Sequence, residues 1–158
     1  VALDAGLGRV FVVIGAEAGR IRPALEDLDV TIVVNPDWQD GIASSLRAGV
    51  AEIGRVAPDA RGLIVLPGDQ PRMPAEHLAR IDAAQRGSGA AIVASDYGDH
   101  RGPPAYFGRR HFAALMALRG DAGARDLLQG DGVETVTAPA GSHFDLDHPA
   151  DVLRLRET

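Results

Sequence analysis

Among the 158 residues, the side chains able to do chemistry gather in a few short stretches. The first is Leu63-Ile64-Val65-Leu66-Pro67-Gly68-Asp69-Gln70-Pro71, four branched apolar residues that stop at a turn and present one carboxylate. An acidic side chain just beyond the carboxyl end of a buried strand is well placed to hold a metal ion that is itself bound to phosphate. The alternative is a Gly-Asp-Gln-Pro turn whose Asp69 only bonds the backbone. A second stretch, Asn35-Pro36-Asp37-Trp38-Gln39-Asp40-Gly41-Ile42-Ala43-Ser44-Ser45, runs from a polar loop into a helix with Asp40 as its N-cap. The first-turn amides and the hydroxyls of Ser44 and Ser45 either receive an anion or satisfy the helix end. Trp38 either stacks on a heterocycle or anchors the loop on the core.

Three further stretches are rich in donors or carboxylates. Ser95-Asp96-Tyr97-Gly98-Asp99-His100-Arg101-Gly102-Pro103-Pro104 reads as a long polar loop, either mobile surface or a closure over an anionic substrate through His100 and Arg101. Gly120-Asp121-Ala122-Gly123-Ala124-Arg125 opens a short helix; two glycines there can form a ring of backbone amides, and Arg125 can clamp a phosphate or carboxylate, or the segment is a capped helix with a surface arginine. In Phe144-Asp145-Leu146-Asp147-His148-Pro149, the carboxylates of Asp145 and Asp147 share one side of an extended segment, since residues two apart in a strand point the same way.

These stretches need a framework, and the apolar pattern supplies it. Val10–Ile14, Leu63–Leu66 and Ala90–Ala94 are continuous apolar runs, and Val30–Val34 is apolar but for Thr31, the signature of strands buried on both faces. Ala105–Phe107 and Val133–Thr137 read as shorter strands, the latter at an edge. Helices are expected between them: one carrying Ile21, Leu25 and Leu28 with Pro23 in its first turn, one from Glu76 to Arg86 with Leu78, Ile81 and Ala84 inward, and one from Arg109 to Leu118 with Phe112, Leu115 and Met116 inward. A last helix follows Asp147, with Pro149 in its first turn. Strand, helix, strand over residues 10–34 implies a right-handed βαβ unit.

Composition narrows the function. One domain is expected at this length, 46% of residues are apolar, and no run approaches the roughly 18 apolar residues of a membrane span. The net charge of −6 argues against a nucleic-acid binder. Cysteine is absent, so disulfides and thiolate metal sites are excluded, and a cytoplasmic location is expected. All 16 basic residues are arginine, so no lysine chemistry is available. There is no Gly-x-Ser-x-Gly elbow, His-Glu-x-x-His, Walker motif or dinucleotide fingerprint. The histidines show no ligand spacing and read as surface or packing residues, with His100 the exception.

Taken in order, Asn35-Pro36 with Gly41 and Ser44-Ser45-Leu46, Leu66-Pro67-Gly68-Asp69-Gln70-Pro71, Arg101-Gly102 with Pro104, Gly120-Asp121-x-Gly-Ala-Arg125, and Asp145-Leu146-Asp147-x-Pro149-x-Asp151 resemble the MobA-like molybdenum cofactor nucleotidyltransferases, closest to the cytidylyltransferase branch. The resemblance covers nearly the whole chain. It implies a three-layer, Rossmann-like α/β fold with a mostly parallel, mixed sheet. It also implies transfer of a nucleotide, CMP from CTP, to the phosphate of molybdopterin with release of pyrophosphate, the product passing to a molybdoenzyme. By the same resemblance Asp69, Asp145 and Asp147 would hold Mg2+, with Asp69 and Arg101 catalytic. Asn35, Gly41, Ser44, Ser45 and Gly68 would line the nucleotide side, and His100, Gly102, Pro104, Asp121 and Arg125 the acceptor side.

The sequence departs from the family pattern twice. The family's opening Leu-x-Ala-Gly-x-Ser-x-Arg-x-Gly-x-x-Lys loop has no match here, so a missing N-terminal strand and glycine-rich loop are expected, and the chain as given is expected to be inactive by itself. Pro103 stands where the cytidylyltransferase branch has histidine before the proline, which leaves open a different acceptor, as in relatives described as heterocycle oxidoreductases; the absent loop leaves open GTP as the donor and a remnant that only binds.

Overall fold

A computed structural model of the chain describes residues 1–121, 123–146 and 148–156. It is an α/β structure. Chain order gives helix α1 (Ala2–Ala5), β1 (Val10–Ile14), α2 (Ala18–Ile21), β2 (Val30–Val34), α3 (Ile42–Val56), β3 (Gly62–Val65), α4 (Ala75–Ser88), β4 (Ile92–Asp96), β5 (Arg101–Gly108), α5 (Phe112–Ala117), α6 (Arg125–Gln129), β6 (Glu134–Thr137) and α7 (Pro149–Arg156). Short 3-10 turns cover Arg22–Ala24, Trp38–Asp40 and Arg109–His111.

The strands form two sheets. β1 and β2 pair in parallel with Val10 opposite Val30, as a βαβ unit requires. The other sheet has the order β3-β5-β4-β6, in which β4 and β6 are parallel and β5 runs antiparallel to both β3 and β4. The β1–β2 pair lies under α3, where Gly49 comes close to Val13. The same helix reaches the larger sheet through Val50 and Ile53, which join a core of Ile92, Ala94, Phe107, Phe112, Leu115 and Leu128. On the opposite face α4 sets Ile81 against Val93, Tyr106 and Val136. β4 up to Ser95 and most of β5 are buried, whereas β1, β2 and β3 are for the most part only partly covered despite their largely apolar sequence.

Several expected elements change in instructive ways. The segment with Ile21, Leu25 and Leu28 is one turn of α-helix followed by a 3-10 turn at Arg22–Ala24, and Ile21 and Leu28 are exposed. Pro23 has no N–H to donate, so the bonding there tightens to Leu25 N–H on the Arg22 carbonyl. Asp40 ends a 3-10 turn instead of capping α3, whose N-cap is Gly41. β5 starts at Arg101, so the long polar loop shrinks to a tight connection at Tyr97–His100, with Gly102, Pro103 and Pro104 inside the strand. Met116 faces outward from α5, while Phe112 and Leu115 point inward as expected.

Candidate functional site

The strand-end carboxylate sits in a built setting. β3 ends at Val65, and Leu66-Pro67 bring the chain to Gly68 and Asp69, both exposed. The C-terminal segment is fastened across this turn residue by residue. Leu146 N–H donates to the Asp69 carbonyl at 2.9 Å, Gln70 Nε2 donates to Asp145 Oδ1 at 3.0 Å, and the Arg72 guanidinium lies 4.5 Å above the Phe144 ring. Pairs 69/146, 70/145 and 72/144 therefore run antiparallel. Two exposed carboxylates, Asp69 and Asp145, thus share the carboxyl end of β3, although they are 76 positions apart in sequence. Asp147 lies outside the described residues.

Carboxylate oxygens with no thiolate or imidazole among them suit a hard divalent cation that completes its shell with phosphate oxygens and water. Among the described residues no group of three or more acidic or histidine side chains is placed to hold a metal ion. A two-carboxylate site of this kind fits a metal carried in with a nucleotide rather than one caged by protein alone.

Beside Asp145 stands an aromatic group. Tyr97 and His100 stack with ring centroids 5.0 Å apart and 13° between planes, and His143 meets Tyr97 edge-on at 6.1 Å. The Tyr97 hydroxyl donates to the Pro103 carbonyl at 2.6 Å. Burial pushes the Tyr97 phenol above its ordinary pKa, and the nearby Asp145 carboxylate adds to the rise. His100 Nδ1 lies 2.7 Å from Asp99 Oδ1, and that bond holds the Asp99 carboxyl below the usual range. Gly102 supports the group from below, because a Cβ there would stand 3.3 Å from the Tyr97 ring. Pro104 is fully buried and its carbonyl accepts the Ser95 hydroxyl at 2.6 Å, so it faces the interior and not a ligand.

The start of α3 is built differently from the expectation. Asn35 is buried and donates to Ser44 Oγ at 2.8 Å and Ser45 Oγ at 3.1 Å, while its Oδ1 accepts Asp37 N–H at 3.0 Å. Ser44, also buried, donates to the Gly41 carbonyl at 2.8 Å. Ala43 N–H is taken by the Gly120 carbonyl at 3.1 Å, and Ser44 N–H by Gly41. Asn35, Ser44 and two of the helix's first amides are thus spent on internal bonds and not on a nucleotide. Gly41 has φ +87°, and a Cβ on it would come within 2.3 Å of Asp121 Oδ1 and 2.6 Å of the Gly120 carbonyl. Its role is close packing against the 120–121 turn, which brings Asp121 over the α3 N-terminus. Ser45 remains partly accessible, and Trp38, packed on Gly15, keeps 43% of its surface.

Arg101 works as a brace. Its Nη1 points to the Gly130 carbonyl at 3.4 Å, and its own carbonyl accepts Gln129 Nε2 at 3.1 Å, tying β5 to the end of α6. Arg125, the first residue of α6, is exposed. Sequence reasoning missed Gln70, Arg72, Tyr97 and His143. Their partners lie 46 to 75 positions away, and no local pattern announces such pairs. It also missed the buried pair His77 Nε2 and Ser95 Oγ, 2.8 Å apart. Because Ser95 Oγ donates to Pro104, His77 must donate to Ser95 through Nε2–H. That leaves Nδ1 as a buried acceptor with no partner among the described residues.

In open α/β sheets ligands bind outside the carboxyl ends of the strands, which is where Asp69 and Asp145 lie. The chain belongs to the MobA-like NTP transferase domain family, whose profile matches residues 1–137. It is similar to the purine catabolism protein PucB of Bacillus subtilis (strain 168), with 32% identity over 117 residues, covering 72% of this chain and 55% of that protein. The chain thus spans about half the length of that curated relative. Among solved structures it resembles Rv0371c of Mycobacterium tuberculosis H37Rv in complex with manganese, at 29% identity, TM-score 0.80 and coverage of 99% of this chain and 84% of that one. It also resembles a nucleotidyl transferase from Methanothermobacter thermautotroptrophicus, at 27% identity, TM-score 0.79 and coverage of 99% and 75%.

Proposed function

We propose that the protein is a Mg2+-dependent nucleotidyltransferase that moves CMP from CTP to the phosphate of a molybdopterin-type acceptor and releases pyrophosphate. The observation that supports this reading is the fastening of Phe144–Leu146 across the β3 turn, which brings Asp69 and Asp145 to one strand end. In the reaction an acceptor phosphate oxygen bonds to the α-phosphorus of the nucleotide as the bond to the β-phosphate oxygen breaks, and the electron pair leaves with pyrophosphate. Negative charge gathers on the α-phosphate oxygens along the way, and a divalent ion supplies Lewis-acid stabilisation there when bound. Asp69 and Asp145 would hold and orient that ion, with Ser45 and the Gly68 backbone on the nucleotide side and Asp121, Arg125 and His100 on the acceptor side. The manganese complex of the mycobacterial neighbour agrees with a divalent-metal site of this kind. The nucleotidylated product would pass to a molybdoenzyme in the cytoplasm.

A second reading is the same transfer onto another heterocyclic acceptor. Pro103, together with the likeness to a purine catabolism protein, favours it. Calorimetry of CTP and GTP with Mg2+ on the full-length protein, beside Asp69→Asn, tests the donor side. CTP binding that needs Mg2+ and is lost in Asp69→Asn is the expected result; a preference for GTP would move the assignment to guanylyl transfer. Binding untouched by Asp69→Asn overturns the metal role of Asp69.

A further inference from the structure

We propose that Gln70 is a positioning residue for the divalent ion: it holds the Asp145 carboxylate by one oxygen and leaves the other for the ion that Asp69 shares. The inference rests on the metal role of Asp69 and Asp145 in the reading above, and Gln70 acts only through Asp145. The backbone alone does not fix the Asp145 side chain. Leu146 N–H on the Asp69 carbonyl brings the two segments together but sets no side-chain angle at Asp145. Asp145 is exposed, and an exposed carboxylate left to itself samples several rotamers. Among the described residues Gln70 Nε2, 3.0 Å from Oδ1, is the one hydrogen-bond donor to this carboxylate, and Oδ2 stays unbonded.

The surroundings of Gln70 fix which end of its amide faces Asp145. Gln70 is half-buried, and its Oε1 is a buried acceptor with no partner among the described residues. Turned over, the amide would set Oε1 against a carboxylate oxygen and bury two N–H groups in place of one carbonyl oxygen, so both ends would be worse off. The amide is therefore locked with Nε2 on Asp145. A glutamate of the same length has no proton to donate and would add a second negative charge beside the first. A neutral donor steadies the carboxylate without adding charge, which keeps the site at two carboxylates and its ion dependent on phosphate oxygens and water to complete the shell. Hydrogen bonds that orient metal-ligating side chains are typically worth about 10- to 100-fold in metal affinity.

The test is Mn2+ binding to full-length protein, read from the electron paramagnetic resonance signal of the free ion. It is run without CTP and with CTP, whose own Mn2+ affinity is measured separately, on the unaltered protein, Gln70→Met, Asp145→Asn and the double variant. Gln70→Met keeps the length of the side chain and removes the donor. It should weaken Mn2+ binding by about tenfold while its urea midpoint stays close to that of the unaltered protein. Beside Asp145→Asn the same change should cost less than about twofold, because no carboxylate is left to hold. Mn2+ affinity that Gln70→Met leaves unchanged, or a tenfold loss that persists beside Asp145→Asn, overturns the positioning role. Mn2+ binding that Asp145→Asn leaves intact, or no Mn2+ binding with or without CTP, overturns the metal role of Asp145 and that of Gln70 with it. Coupled effects of Gln70 and Asp145 on Mn2+ in a protein that does not bind CTP overturn the transferase reading and leave Gln70 in its role.

Discussion

Asn35 is the residue on which a ligand role and a structural role give the most different numbers. The amide is buried and makes three hydrogen bonds, donating to Ser44 and Ser45 and accepting from Asp37 N–H. It thereby joins the end of β2 to the first turn of α3. At about 1 kcal/mol net for each intramolecular hydrogen bond, with the cost of polar atoms left unpaired in a buried place, Asn35→Ala should lose about 3 kcal/mol of stability. Asn35→Asp should lose a comparable amount for another reason. Ser44 spends its proton on the Gly41 carbonyl at 2.8 Å, so a carboxylate oxygen facing Ser44 Oγ would meet lone pairs where the amide offered a proton. Urea unfolding followed by circular dichroism measures both losses. If Asn35→Ala keeps its unfolding midpoint and loses only nucleotide binding, Asn35 is a ligand contact after all and the reasoning from its internal bonds is wrong.

Two other expectations follow from the same structure. Gly41→Ala combines a φ of +87° with a Cβ 2.6 Å from the Gly120 backbone, so the 120–121 turn must move off α3; a loss of at least about 2 kcal/mol is expected, and an unchanged urea midpoint would show that the turn gives way freely. Burial, and then Arg80, lower the pKa of His77 in the fold. The unfolded chain binds more protons than the folded one below its ordinary pKa near 6.5, so the fold keeps its full stability above about 6.5 and loses it progressively as pH falls from there toward the lowered folded value. Unfolding midpoints at pH 7.5 and 5.5 should differ less in His77→Gln than in the unaltered protein, and an equal drop in both would remove His77 from the account.

Much of the fold was legible along the chain. Val10–Ile14 and Val30–Val34 are strands to the residue, because runs of β-branched residues, with one phenylalanine, that stop at Gly15 and at Asn35-Pro36 leave few other options. The α4 face of Leu78 and Ile81 followed from helical spacing. Where the residue pattern misled, a local preference lost to tertiary pairing: two prolines suggested a loop, yet β5 runs through them, because β4 pairs with Ala105 and again with Gly102 and leaves Pro103 and Pro104, which have no N–H to give a ladder, in the register shift between. The ordered motifs were enough to place the chain among MobA-like NTP transferase domains.

What the sequence determined by itself is the kind of chemistry: a strand-end Asp69, a chain with no cysteine or lysine, and acidic residues near the C-terminus. Which of the polar residues face a ligand was decided only in three dimensions. Asn35, Ser44 and Pro104 look from sequence like ligand contacts and turn inward, where each finds an internal hydrogen-bond partner. Tyr97 and His143 look ordinary and come together across 46 positions, because the last connection is fastened over the β3 turn. Local preference acts over a few residues, whereas a binding surface is made by segments that touch only after the sheets have brought them together.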